Sequence, residues 1–332
     1  MKSGISLIVL FSLLIGQYAQ AASLVVYSGR KDKFIKPVAA EFTKETGIKV
    51  LLHSGSSTSL LNKLKLEGSN STADLYISND AGNLEKGKEM QLFSPVAENL
   101  IKGIPQNLRA SDNSWIGLSA RARVLVVNTE DKSVDFVKSV FDLSDPRLKN
   151  KLAITHSGNG SYIAGVTVYM ESVGKEKTAN WLSGMKENVG GKVFNKHSKI
   201  VKAVANGKRS VGLVNHYYIY RHLKKHPNAP IKIVLPDQGK NDIGVAWNVA
   251  GIAMVKSTKN KQAAARFIAF VTSKKGQSLF AEVNQEYPAR EGIAAAAEVP
   301  KAGSYKVAPV AMQVLGQKRS ATLDLIESVG MP

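Results

Sequence analysis

The sequence predicts an α/β fold of two lobes joined by hinge strands, with a cleft between the lobes. Three observations carry this. Residues 24–77 alternate short apolar strands with amphipathic helices, giving β-α-β-α-β, the pattern of a parallel sheet. A second block, about 133–245, repeats the same logic. Two long apolar strands, 115–128 and 249–255, lie between and after these blocks, where strands crossing from lobe to lobe would run.

The elements follow in chain order. Lys2 precedes an apolar run, Ile5 to Ile15, and then Ala19-Gln20-Ala21, a small-x-small pattern. This reads as a secretory signal peptide over residues 1–22, its apolar run too short to span a membrane. No cysteine precedes the mature start, so no lipid anchor is expected. Leu24–Tyr27 is a strand; Phe34, Val38 and Phe42 mark a helix over 32–46, stopped by Gly47. Ile48–Leu52 is the next strand, and "SGSSTSLLNKLKLEG" opens on a Ser/Thr cluster and continues as a helix. Ala73–Ile77 is the third strand, followed by Asn79-Asp80. "WIGLSARARVLVVN" (115–128) is a long strand. Beyond it come "KLAIT", a helix from about 161, "GKVFN" as a strand, a helix near 198–206, "SVGLV", a tyrosine-rich helix and "IKIVLP". "VAGIAMV" is a strand, "KQAAARFIAFVTSKKGQSLF" one or two helices, and "SATLDLIESV" the closing helix. The lobes are expected as 23–122 with about 249–300, and about 123–248 with 301–332. This is the plan of a type II periplasmic solute-binding protein, which grips a ligand between its lobes by hinge closure.

Composition narrows the function. With no cysteine, thiolate catalysis and cysteine-based zinc or iron–sulfur sites are excluded, and an exported chain without disulfides fits the periplasm. The formal charge of +19 is spread along the chain in lysine-rich turns with no nucleic-acid-binding pattern, so it reads as a solvated basic surface. No nucleic acid partner and no stable membrane insertion are expected. The six histidines have no HExxH spacing, and no GxSxG, P-loop or GxGxxG context occurs.

The stretch "VNHYYIYRH" (214–222) places three of the ten tyrosines where a strand enters a helix. Tyr217 falls in the first helical turn at the carboxyl end of a strand, where ligands bind in open α/β sheets. Arg221 lies four residues on, on the same face. Tyrosines also pack and hydrogen-bond between elements, so packing is the competing explanation.

At these residues the chain resembles the periplasmic ferric-iron-binding proteins of bacterial ABC importers. The resemblance covers most of the mature chain, through "VVYSGRKDKFIKPVAAEFTKETGIKV", "ADLYISNDAGNLE", "WIGLSARARVLVVNTE", "GLVNHYYIYR", "NVAGIAMV" and "EYPAREG". It implies that Tyr217 and Tyr218 ligate Fe(III). The chemistry agrees: Fe(III) is a hard ion, phenolate is a strong oxygen donor, and a bound cation takes the proton off its ligand. Tyr162, which opens the helix after "KLAIT", stands near a third ligand tyrosine of several members; packing is its alternative role. Lys31 stands where one subgroup has a ligand histidine, Lys31-Asp32 where another has His-Tyr, and Asn79 where a third has a glutamate. The first lobe thus offers few direct ligands; Tyr27 is a candidate, as is Asp80, whose other role is helix capping.

Members without those ligands complete the metal shell with an exogenous anion, commonly carbonate. Arg121 and Arg123 lie two apart on a strand and project from one face, and either can offer a planar fork to the anion. Arg30 and Ser57, in the turn that opens the second helix, are further anion candidates; plain capping is the alternative for the turn. Arg221 would support a phenolate from behind or be solvated, and His216 would be solvated or cap its helix. The expected function is capture of ferric iron by a non-enzymatic monomer, delivered to an inner-membrane ABC permease. An oxyanion binder, for a phosphonate- or sulfate-like solute, is the alternative on the same scaffold.

Overall fold

The computed structural model describes residues 23–332; the expected signal peptide lies outside them. Alternation of short strands and helices builds the first half: β1 (Ser23–Ser28), α1 (Asp32–Thr46), β2 (Lys49–Ser54), α2 (Ser57–Glu67), β3 (Leu75–Ser78), α3 (Ala81–Glu89) and β4 (Phe93–Ser94). The middle holds β5 (Ile116–Asn128), β6 (Leu152–Ala153), α4 (Gly160–Val173), α5 (Lys175–Val189), α6 (His197–Ala205), β7 (Val211–Asn215), α7 (Tyr217–Lys225) and β8 (Ile231–Val234). The chain ends with β9 (Trp247–Val255), α8 (Lys261–Thr272), α9 (Lys274–Asn284), β10 (Tyr287–Pro288), α10 (Val314–Gln317) and α11 (Arg319–Val329).

The strand order is β2-β1-β3-β9-β5-β7-β6. Helical crossovers make β1 parallel to both β2 and β3 and β6 parallel to β7. The long strand β5 joins the two halves. Its first part, Ile116–Ala122, pairs antiparallel with β9, and its second part, Arg123–Asn128, pairs with β7 and β8. All thirteen of its residues are buried, because helices cover both faces. The expected crossing strand is thus present, and the architecture is a two-lobed mixed α/β fold.

Packing on each side follows from the helical stripes. On α1, Ile35, Val38, Ala39 and Phe42 are buried, and Gly47 ends the helix at φ 71°. Phe42 meets Phe267 edge-on at 4.9 Å between centroids, tying α1 to α8. On the other side Tyr169 of α4 meets Trp181 of α5 at 5.1 Å. At the end of the chain α10 lies on α3, and α11 on α4 and α5, so the segment 301–332 assigned to the second lobe from sequence touches both sides. The stretch "GKVFN", expected as a strand, contributes only an isolated bridge between Thr155 and Phe194.

The amino-terminal turns of seven helices, α1, α2, α3, α4, α6, α7 and α11, contribute residues to the wall of one cleft of about 850 Å³ between the two sides of the sheet. Among the described residues no helix is long and apolar enough to cross a membrane.

Candidate functional site

The tyrosine pair is mounted on β7. That strand is hydrogen-bonded to β5 on one side and β6 on the other, with Arg123 opposite Asn215. Helix α6 lies flat on it at Gly212, where an added Cβ would stand 2.4 Å from Ile200 Cγ2. The strand ends at Asn215, His216 turns the chain, and α7 begins at Tyr217. Both Tyr217 and Tyr218 border the cleft, with ring centroids 4.5 Å apart. The Tyr217 hydroxyl accepts from Asn215 Nδ2 at 3.3 Å. Burial, then the neighbouring Tyr217, raises the pKa of Tyr218, so this phenol is protonated at neutral pH unless a cation displaces the proton.

His216 is fixed between two backbone groups. Its Nδ1 accepts from the Ala122 N–H at 3.1 Å and its Nε2 donates to the Gln285 carbonyl at 2.9 Å. Burial pushes its pKa down to about 4 and keeps it neutral. The expectation of a solvated or capping histidine is therefore corrected: His216 is a buried strut that locks the start of α7 to β5 and to the end of α9.

Tyr162 opens α4, where Asn159 caps the helix by accepting from the N–H groups of Ser161 and Tyr162 at 3.0 and 3.3 Å. Its neighbours Gly160 and Ser161 border the cleft; Tyr162 itself lies behind them, 1% exposed. Its hydroxyl has no hydrogen-bond partner among the described residues. Burial raises its pKa, and the cation of Arg123 pulls the other way.

The arginines divide by role. Arg121 borders the cleft, and its Nε has no partner among the described residues. Arg123 is buried behind it. Its Nη1 donates to Asn215 Oδ1 at 3.2 Å and meets His197 Nδ1 at 3.5 Å, while Nε and Nη2 have no partner among the described residues. Arg30 borders the cleft too, but its Nη2 is engaged by Glu286 and Asn284, each at 3.0 Å. Burial alone would raise the Glu286 pKa; Arg30 and Arg121 outweigh it and hold the carboxylate ionised. Ser57 Oγ accepts from the Asn79 N–H at 3.1 Å, fixing the α2 start to the end of β3, while Ser56 is the cap of α2. Asp80 caps α3, accepting from Asn83 N–H at 3.0 Å.

Arg221 does not bond either phenol oxygen. Its guanidinium lies over the Tyr217 ring at 4.5 Å and the Phe34 ring at 4.7 Å, and Nη2 donates to the Asn284 carbonyl at 2.6 Å. It links α7 to α1 and to the end of α9. Tyr27 is the candidate the structure places elsewhere. Its side chain falls on the sheet face covered by α2, and its hydroxyl donates to Glu67 at 3.0 Å. It is not among the cleft residues. Sequence reasoning missed His197. This histidine borders the cleft, stacks on Tyr218 at 5.2 Å, and is kept neutral by burial and by the cations of Arg123 and Arg121.

A family model described as bacterial extracellular solute-binding protein matches residues 38–307. The chain belongs to the bacterial extracellular solute-binding proteins. This solute-binding protein is 30% identical to the major ferric iron-binding protein of Neisseria meningitidis, over 100% of both chains. Among solved structures it resembles a Trichodesmium protein (IdiA, FutA) in complex with iron and citrate ligands, at TM-score 0.85, 30% identity, and coverage of 94% of this chain and 100% of that one. Iron-bound HitA from Pseudomonas aeruginosa is similar at TM-score 0.85 and 27% identity, covering 93% of this chain and 100% of that one. The resemblance expected from the tyrosine motif therefore extends over the whole described fold.

Proposed function

We propose that this solute-binding protein captures ferric iron in the cleft and delivers it to an ABC permease of the inner membrane, acting in the periplasm as a monomer that binds rather than catalyses. One observation carries the reading most directly: two phenols, 4.5 Å apart between ring centroids, stand on the first turn of α7 at the cleft wall. Two phenolates would supply two negative charges and two hard oxygen donors, which suits Fe(III) and not a soft or imidazole-seeking metal. The hydroxyl of Tyr162, which has no hydrogen-bond partner among the described residues, is the third phenolate in this reading. Arg121 and the partnerless nitrogens of Arg123 supply donors for an accompanying anion such as carbonate.

Binding follows a simple charge sequence. Tyr218 is protonated before iron arrives, because burial beside Tyr217 resists its ionisation. The metal displaces that proton, so capture releases acid and strengthens as pH rises. His216 and Arg221 hold α7 against α9, so the phenols meet the metal with little rearrangement of their own mount. The lobes then close over the ion.

A visible absorption titration with ferric citrate tests this. The wild type is expected to develop a phenolate-to-iron charge-transfer band that saturates at one iron per chain. The Tyr217→Phe/Tyr218→Phe double variant is expected to lose it. A wild type with no band, or a variant that keeps the full band, contradicts the assignment.

A further inference from the structure

We propose that the outer face of α6, continued by the end of α7, docks on the anionic phospholipid surface of a membrane, held by charge and without insertion. The inference does not depend on what the cleft carries.

The positive charge is less evenly spread than the lysine-rich turns suggest. Between Glu187 and Asp237 the chain has no aspartate or glutamate, yet this stretch holds ten lysines and arginines. About half of the net charge of +19 therefore comes from 49 of the 332 residues. The fold gathers these charges on one side. Helix α6 buries Ile200, Val201 and Val204, and Ile200 and Val204 reach β7 at Gly212. Lys196, Lys199 and Lys202, three apart, stand on the opposite side and are exposed. Lys192 before the helix and Lys208 after it are exposed as well. Helix α6 packs on α7, where burial, then His226 and Lys202, lower the pKa of His222, so the basic groups of the two helices share a face. At the end of α7, Lys224 and Lys225 are exposed and border the cleft opening.

Ion pairing sets this face apart. In the first half of the chain, lysines such as Lys36 and Lys63 are paired with carboxylates on their own helices. In the stretch 188–236, among the described residues, Lys232 alone is paired, with Asp135 at 3.7 Å. Glu298, in the segment after β10, comes near Lys224.

The chemistry of the face selects its partner. The exposed cations of the stretch are lysines; Arg209 is half-buried and Arg221 lies over the Tyr217 ring. A lysine ammonium is a point charge on a flexible stem and suits many interchangeable phosphates, whereas the fork of arginine suits one fixed oxyanion. Large exposed apolar side chains occur at Leu51, Leu66 and Leu323, none of them in this stretch. A specific protein interface draws on aromatic or arginine anchors, and insertion into a bilayer needs an apolar face; this surface offers neither. What it offers is diffuse attraction to a surface of many phosphates, effective within a Debye length of about 8 Å at physiological salt. Docked this way, the lobe that carries the tyrosines and the cleft edge at Lys224 and Lys225 lie beside the bilayer in which a permease would sit.

Flotation of the metal-free mature protein with vesicles tests the proposal. Vesicles of phosphatidylcholine alone and of equal parts phosphatidylcholine and phosphatidylglycerol are compared at low and high salt. Two variants accompany the wild type, each losing the same charge at exposed positions: Lys196→Gln/Lys199→Gln/Lys202→Gln/Lys208→Gln on the face, and Lys256→Gln/Lys259→Gln/Lys261→Gln/Lys274→Gln around α8. Circular dichroism checks their folds. The wild type is expected to bind the anionic vesicles alone and to release them at high salt. The face variant is expected to bind at least about tenfold more weakly, and the α8 variant to stay within about twofold of the wild type. Amine acylation of the wild type gives an answer independent of the variants: Lys196, Lys199, Lys202 and Lys208 are expected to be protected on anionic vesicles, and Lys256 and Lys259 are not. Poly-L-glutamate serves as the acidic-protein probe. Equal losses in the two variants, equal binding to neutral vesicles, or no binding at low salt overturn the proposal. Binding of poly-L-glutamate through the face, with none to vesicles, overturns it in favour of an acidic protein partner.

Discussion

At the scale of single residues, His216 shows how the tyrosine motif is held in place. It is a buried neutral imidazole with both nitrogens bonded to backbone. In the folded protein its pKa is down to about 4, while the unfolded chain titrates near the ordinary 6.5. Below 6.5 the unfolded chain binds a proton that the folded one refuses, so stability present at neutral pH is lost as pH falls toward 4. The loss across that window is about 3 kcal/mol for this group. Urea midpoints of the metal-free protein at pH 7 and pH 4.5, in wild type and His216→Gln, check this. The wild type is expected to lose more stability than the variant; equal losses contradict the role. The position of Tyr217 and Tyr218 at the cleft wall was legible in the sequence because its signal is local: two adjacent phenols just past an apolar strand. Tyr27 looked similar at the end of β1, but its partner Glu67 lies forty residues away, and no local pattern announces that bond. His197 escaped for the same reason, since its stacking on Tyr218 joins residues 21 apart.

At the scale of elements, the site depends on how closely α6 lies on β7. Ile200, Val201 and Val204 of α6 are buried, and Gly212 leaves the room that Ile200 occupies. Gly212→Ala would put a Cβ 2.4 Å from Ile200 Cγ2 and 3.0 Å from Val126 Cγ1, which forces the helix off the strand. Overpacking of this kind costs about 1–3 kcal/mol, so the urea midpoint is expected to fall with the slope unchanged. An unchanged midpoint contradicts the close packing. Most strands and the long amphipathic helices were readable from periodicity, as with Ile35, Val38 and Phe42 on α1. Helix α3 was not: "AGNLEKGKE" carries two glycines and few apolar residues, and it forms where Asp80 caps it and α10 covers it. Helix α5 was not set apart either, since only Gly174 divides it from α4. "GKVFN" was read as a strand because it has strand-like residues, yet whether such residues join a ladder depends on distant partners, and only Phe194 finds one.

At the scale of the whole molecule, β5 turns a local arrangement into a cleft. One strand pairs first with β9 and then with β7 and β8, so the two sides of the sheet share a continuous backbone while the helix starts converge between them. The central claim is that iron entering this cleft binds the phenol oxygens of α7. Anomalous diffraction at the iron edge, from crystals of the ferric-loaded protein, tests it most directly. The account predicts one iron per chain in the cleft, bonded to the hydroxyl oxygens of both Tyr217 and Tyr218. Iron found elsewhere on the chain, or in the cleft without either of these oxygens as a ligand, would contradict it.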